Sequence, residues 1–332
     1  MAVQQKRKIL VTREVFQETL DYLAQHFEVE SNQSDTPFSP DTLAQRLADK
    51  AGVVCVLTDR IDAPLLERCP RLRAVCNIAV GYNNIDVDAC TARGVMATNT
   101  PGVLDGSTAD FAWALLLAAA RRLSEAEAYL RNGEWCGWYL KQLLGVDVHG
   151  ATLGVIGMGR IGQAVAQRAA GFDMTVLYHN RGRLVAEVEQ RLNATRVEMG
   201  ELLKRADFVV LLVPYSPATH HLIGAAELAL MKPTAVLVNV ARGGVVDDAA
   251  LIGALKNGTI RAAGLDVYEG EPKFNAAFLE LKNVVLAPHV ASSTEATRSA
   301  MAMTAARNLV AALGGAEPPN LLNPECRTAG SG

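Results

Sequence analysis

Apolar residues in the first hundred positions come in short runs separated by longer stretches where they recur at helical spacing. The runs "KILVT", "GVVCVL" and "RAVCNI" have the length and β-branched content of strands. Between and after them, "VFQETLDYLAQHF", "DTLAQRLADK", "APLLERC" and "DVDACTARG" carry helical patterns. Alternation of this kind builds βαβ units and a parallel sheet. From roughly Ser107 to Asn132 the pattern predicts one long helix carrying Phe111, Trp113, Leu115, Leu116 and Leu123, which the glycines of "GEWCGWYLKQLLGVDVHG" then interrupt. That segment is read as a bridge between two lobes. A second alternating series follows in "ATLGVIGMG", "MTVLY", "DFVVLLVP", "AVLVNV", "IRAAGLDV" and "NVVLAPH", whose near-continuous Val, Ile and Leu runs mark strands covered on both faces. After His289, "STEATRSAMAMTAARNLVAALGG" predicts an amphipathic helix capped by Gly314 and long enough to return to the first lobe. The tail is expected to be loose past Asn323.

A chain of 332 residues is too long for one ordinary core and fits two domains. Half of the residues are apolar and 20% are charged, a balance that supports unaided folding rather than disorder. The net charge of −3 offers no broad basic surface, so nucleic acid and anionic membrane are not expected partners. "FAWALLLAAA" is too short to span a bilayer and is expected to be a buried helix. "MAVQQKRKILVTR" lacks the apolar core of a secretory signal, so a cytoplasmic location is expected. The six cysteines (Cys55, Cys69, Cys76, Cys90, Cys136 and Cys326) show no C-x-x-C spacing; they are read as reduced and mostly buried thiols, with no metal cluster expected.

In "GVIGMGRIGQ", Gly157, Gly159 and Gly162 form G-x-G-x-x-G directly after a strand and at the opening of a helix. Glycine there permits a tight turn, close approach of the backbone to a pyrophosphate and helix-to-sheet packing, while the helix N-terminus favours negative charge. Such a unit binds a dinucleotide. The next strand is read as ending at Tyr178, and Asn180 stands where an acid that accepts from a ribose 2′-hydroxyl is expected. Arg181 follows, with Arg183 as a further candidate. A guanidinium there can pair with a 2′-phosphate that a carboxylate would repel, so NADP is the expected cofactor, with NAD also possible.

Arg242 in "NVARGGVVD", Asp266, Glu269 and Glu271 in "GLDVYEGEP", and His289 in "LAPH" all lie at C-terminal ends of predicted strands, where open α/β sheets bind ligands. A guanidinium suits a planar carboxylate and can polarise a neighbouring carbonyl. An acid paired with an imidazole supplies a general acid.

With "GMGRIG", "NVARGGVVD", "GLDVYEGEP", "APHVASST" and "AVGYNNID" in this order, the chain resembles the D-isomer-specific 2-hydroxyacid dehydrogenase family over essentially its whole length. Within it the chain is most similar to glyoxylate, hydroxypyruvate and 2-ketogluconate reductases. The resemblance implies two doubly wound parallel-sheet α/β domains, Rossmann-like and flavodoxin-like, with a cleft between them. Residues 1–100 plus 290–332 would form the substrate domain, and residues 101–289 the NADP-binding domain. It further implies NADPH-dependent reduction of small 2-oxo acids, with Arg242 anchoring the substrate carboxylate and carbonyl, His289 donating the proton and Glu271, rather than Glu269, holding that proton in place. Asp266 matches a residue that meets the nicotinamide carboxamide, and the Val80–Gly81 backbone a loop that holds the substrate carboxylate. Trp138 matches a residue that reaches the active site of a neighbouring subunit, which implies a homodimer. Met158, Arg160, Ile161, Pro214 and Val240 complete the candidate cofactor contacts, and Ser292 the substrate contacts. Two alternatives stay open: a dehydrogenase of D-lactate or another 2-hydroxy acid, and a non-catalytic nicotinamide-sensing protein. Asn83 departs from the Asp of many relatives, and Val80 stands where phosphite-oxidising relatives carry Lys.

Overall fold

The computed structural model describes residues 6–327. The chain divides into two compact units, one from Met1–Leu104 with Thr294–Gly332 and the other from Asp105–Ser293.

The first unit is built on strands β1 (Lys8–Val11), β2 (Glu28–Ser31), β3 (Gly52–Cys55), β4 (Ala74–Asn77) and β5 (Met96–Thr98). They form a parallel sheet in the order β2-β1-β3-β4-β5, with every neighbour in parallel register. One face packs Leu10, Val53 and Val75 against Leu43, Leu47, Leu65 and Leu66 of the flanking helices. The helix Glu295–Gly314 covers the sheet over β3 and β4. It comes so close that a Cβ on Gly52 would lie 2.6 Å from the Leu309 side chain. Its C-terminal stop is Gly315 at φ 87, one residue beyond the expected Gly314, because the left-handed position is the one that requires glycine.

Beyond this helix the chain is better tied than its composition predicts. Asn323 is fully buried; its Oδ1 accepts from the backbone of Ala97 at 2.9 Å and its amide donates to the Val95 carbonyl at 2.9 Å. Pro324–Arg327 forms a 3₁₀ turn in which Cys326 is buried. Of the tail expected to be loose, residues 328–332 lie outside the described residues, as do residues 1–5 of the N-terminal segment.

The second unit carries β6 (Thr152–Ile156), β7 (Thr175–His179), β8 (Ala194–Arg196), β9 (Phe208–Leu211), β10 (Val236–Asn239), β11 (Ala262–Leu265) and β12 (Val284–Leu286). Their order is β12-β11-β10-β9-β6-β7-β8, again wholly parallel. β6, β9, β10 and β11 are buried almost throughout, as their small and apolar sequences allow. The chain winds outward from β6 in both directions, which leaves a topological switch point between β6 and β9.

The single helix expected over 107–132 is two helices, Asp105–Ala120 and Leu123–Arg131, broken at Arg122 with φ 53. The break has a tertiary cause. The Ala120 carbonyl accepts from Val146 at 3.0 Å, and Gly145 lies against it so closely that a Cβ would sit 2.4 Å away. The first helix is predominantly apolar and buries eight of its sixteen residues, while the second buries none. Among the described residues no helix is long and apolar enough to cross a membrane. None of the six cysteines forms a disulfide; Cys136 is exposed and the other five are buried, and burial pushes Cys76 and Cys90 up to about 12.

Candidate active site

The glycine loop leaves β6 at Gly157, which adopts φ 101 and donates its N–H to the His179 carbonyl at 3.1 Å. A Cβ there would lie 2.7 Å from the Leu212 backbone, and one on Gly162 would lie 2.4 Å from the Gly157 carbonyl oxygen. Both glycines are therefore demanded by the protein's own packing. Gly159 is different: a Cβ on it would meet nothing within 4 Å, and no side chain caps the helix Arg160–Ala169 that follows. The loop thus presents open space in front of uncapped helical N–H groups, which suits a pyrophosphate. Met158 is buried, Arg160 exposed and Ile161 half-buried around this turn. Pro214, exposed after β9, and Val240, buried after β10, stand at the ends of neighbouring strands.

β7 extends one residue beyond the expected Tyr178, to His179. The Asn180 side chain turns back on the glycine loop, its Oδ1 accepting from Met158 N–H at 2.7 Å. Arg181 is exposed, whereas Arg183 makes a forked pair with Glu189 through Nε and Nη2, at 2.9 Å for Nη2. A third guanidinium, which local sequence does not announce, comes from Arg196 on β8. Its Nη2 donates to the Asn180 carbonyl at 3.3 Å, and its Nε is buried without a partner. An orphaned buried donor beside this loop fits an anionic group there.

The acid-base group forms at the ends of β10, β11 and β12. His289 Nδ1 lies 2.5 Å from Glu271 Oε1, with side chains 24% and 27% exposed. Glu271 Oε2 accepts the Tyr268 N–H at 3.2 Å. Burial alone would raise the Glu271 carboxyl, but the hydrogen bond and charge of His289, the Tyr268 N–H and the Arg242 charge together hold it below the ordinary carboxylate value. Burial lowers the Arg242 guanidinium from its ordinary value, and the Glu271 charge opposes that shift. Glu271 is thus the shared partner of His289 and Arg242. The turn carrying Arg242 is shaped by buried Asn239, whose amide donates to the Arg242 carbonyl at 3.2 Å and whose Oδ1 accepts from Ala241 at 3.0 Å. Arg242 Nη1 donates to the Ala241 carbonyl at 2.7 Å.

Asp266 is 1% exposed, and its two carboxylate oxygens accept the N–H groups of Val290 (2.7 Å) and Ala291 (2.9 Å). Burial raises its carboxyl in spite of these bonds. Glu269 pairs with His221 instead, consistent with Glu271 being the acid that meets His289.

Of the other candidates, Ser292 is half-buried just after the loop held by Asp266. Trp138 is 78% exposed in the irregular stretch after the Leu123–Arg131 helix, beside exposed Tyr139 and Leu140. Val80 and Gly81 belong to the first unit, after β4, where their carbonyls accept from Asn99 (2.8 Å) and Asn77 (3.1 Å). Asn84 joins this network, its amide donating to the carbonyls of Val56 (3.2 Å) and Asp59 (3.0 Å).

Two positioning residues had no reading from sequence. The Tyr268 hydroxyl accepts the Ala287 N–H at 3.0 Å and offers its one proton to the carbonyls of Ala287 (2.9 Å) and Leu265 (3.1 Å), clamping the strand ends that bear Asp266 and His289. Gly243 lets the Arg242 turn pass the Tyr268 backbone; a Cβ there would sit 1.7 Å from the Tyr268 oxygen.

Residues 113–291 match the model of the NAD binding domain of D-isomer specific 2-hydroxyacid dehydrogenases. A glyoxylate reductase from Thermococcus gammatolerans is 51% identical over 324 residues, covering 96% of this chain and 97% of that protein. One from Aeropyrum pernix is 48% identical over 323 residues, covering 96% of both chains. Among solved structures, the NADPH-dependent glyoxylate/hydroxypyruvate reductase of Sinorhizobium meliloti in complex with NADP and malonate superposes with a TM-score of 0.86 at 34% identity, covering 97% of this chain and 98% of that one. A glycine loop built for a dinucleotide and likeness of this extent lead to one conclusion: the chain belongs to the D-isomer specific 2-hydroxyacid dehydrogenase family and is an NAD(P)-dependent oxidoreductase.

Proposed function

We propose that this enzyme is an NADPH-preferring reductase of small 2-oxo acids, with glyoxylate and hydroxypyruvate as its substrates and 2-ketogluconate as a further candidate. The observation that carries the reading is the 2.5 Å pair of His289 Nδ1 with Glu271 Oε1, whose acid also bears on Arg242. When bound, the nicotinamide supplies the hydride that reduces the substrate's C2 carbonyl. With Nδ1 committed to Glu271, His289 presents Nε2 as the nitrogen that passes a proton to the developing alkoxide. Arg242, half-buried, binds the substrate carboxylate and offsets the negative charge growing on the carbonyl oxygen. In this reading Asp266 holds the loop after His289 and meets the carboxamide, Ser292 and the Val80–Gly81 backbone contact substrate, and the two compact units are the substrate and cofactor domains.

Preference for NADPH is supported by the absence of an acid at Asn180, by exposed Arg181, and by the Arg196 Nε that lacks a partner. The NADPH dependence of the Sinorhizobium relative points the same way. A homodimer is supported by the exposed run of Trp135, Trp138, Tyr139 and Leu140 next to a helix that buries none of its residues.

The deciding experiment is a panel of glyoxylate, hydroxypyruvate, 2-ketogluconate and pyruvate assayed with NADPH and NADH side by side. The expected outcome is the highest kcat/KM for glyoxylate or hydroxypyruvate with NADPH. Preference for pyruvate, or for NADH, overturns the corresponding half of the reading, and no turnover with any of them overturns it all.

A further inference from the structure

We propose that His220, His221 and Glu269 form a binding site for one divalent transition-metal ion of the zinc class, separate from the acid-base group. One ligand atom from each of the three lies within 4.8 Å of the others. The two imidazoles stack with centroids 3.8 Å apart and planes 25° from parallel. His221 Nε2 faces both Glu269 oxygens, at 3.3 and 3.2 Å. That spacing is wide for a charge-assisted bond, which settles at about 2.7–2.9 Å. It matches instead the edge of a tetrahedral zinc site, where bonds of about 2.0–2.1 Å put neighbouring ligand atoms about 3.3 Å apart.

The supports of the three ligands are already fixed. His220 Nδ1 lies 3.2 Å from the Tyr215 hydroxyl, a contact that orients the ring and leaves Nε2 uncommitted by it. His221 takes φ 49 and donates its backbone N–H to the Gly244 carbonyl at 2.7 Å. The Glu269 N–H donates to Asp248 Oδ2 at 3.2 Å. Backbone on both sides is therefore anchored, and only side-chain torsions need adjust. Two imidazoles and one carboxylate select zinc, copper or nickel over magnesium or calcium, and three protein donors leave a fourth position for water. No cue in sequence points here, since Glu269 lies 48 residues from His221. The ion would tie the loop after β9 to the loop that bears Glu271.

The test is calorimetric titration of the full chain, stripped with a chelator, against ZnCl2 and, separately, MgCl2. One zinc ion per chain is expected and no magnesium. His220→Asn and Glu269→Gln should each lower zinc affinity at least about tenfold, and Tyr215→Phe, which removes an orienting partner, about 10–100-fold. His289→Ala should bind zinc like the parent. If a ligand variant fails to fold, amide hydrogen exchange of the parent decides: zinc should protect residues 219–224 and 267–271. Unchanged affinity in the folded ligand variants, loss of binding in His289→Ala, protection confined elsewhere, or no saturable zinc binding overturns the proposal.

Discussion

The backbone N–H of His289 donates to the carbonyl of Asp266 at 2.8 Å, and the Asp266 carboxylate takes the next two N–H groups, those of Val290 and Ala291. His289 itself sits at φ 56, a left-handed conformation that a β-carbon disfavours. One buried aspartate thus holds an imidazole in a backbone state it would not choose alone. Asp266→Ala leaves two N–H groups without acceptors and should destabilise the chain by about 2–5 kcal/mol. Urea unfolding measures that loss, and kcat should fall with it; a variant of parental stability would assign the loop geometry to other contacts.

Gly243 tests whether the Arg242 turn must touch the Tyr268 backbone. Because a Cβ there would lie 1.7 Å from the Tyr268 oxygen, Gly243→Ala has to push the two loops apart. A displacement on the order of 1 Å lowers kcat by about 100-fold. Steady-state kinetics beside a melting curve separates this from unfolding. Activity within twofold of the parent would mean that Arg242 and Glu271 need no such contact.

Removal of the proton donor should act on chemistry rather than on cofactor binding. His289→Ala is expected to lower kcat by about 10²–10⁴-fold while NADPH affinity, read by fluorescence titration, stays within about twofold. Full activity in that variant would remove the role assigned to the imidazole.

Two carboxyls give pH dependence of opposite sign. Glu271 titrates below its ordinary value of 4.5 in the folded chain, so the stability it contributes is present above about 4.5 and is lost as pH falls through the folded value. Asp248 is pushed from 3.8 up to about 6, chiefly by burial, with the Glu269 and Asp247 charges adding to it. Its contribution is fully present below 3.8 and is lost as pH rises to about 6. Asp248→Asn should therefore stabilise the chain above pH 6, and Glu271→Gln should flatten the acid limb. Melting temperatures across pH 3–8 read both, and a parental profile in either variant sinks its assignment.

The arginine loop makes a separate claim. Arg181→Asp places a carboxylate where a 2′-phosphate is proposed to sit, so kcat/KM with NADPH should drop while that with NADH holds or rises. Equal loss with both cofactors would mean that Arg181 does not read the phosphate.

Much of this was legible along the chain because its causes are local. Apolar runs predict strands buried on both faces, and the β6, β9, β10 and β11 observed are buried almost throughout. The spacing of Gly157, Gly159 and Gly162 marks the turn itself, although the contact that makes glycine obligatory at Gly157 comes from the distant Leu212 backbone, and Arg242, Glu271 and His289 follow strand ends of the kind at which open α/β sheets bind ligands. What sequence left open depends on partners distant in the chain. The break at Arg122 arises because Gly145 and Val146 pack on Ala120, and the ordered segment through Asn323 arises because β5 supplies its hydrogen-bond partners. Helical periodicity cannot register either contact. The same holds for Arg196 beside Asn180, for Gly243 beneath Tyr268, and for Glu269 turned toward His221. Local pattern determined the alternation of strands and helices and most of the strands; tertiary packing decided where the helix breaks at Arg122 and which side chains meet across the strand ends, because hydrogen bonds and excluded volume act through space and not along the chain.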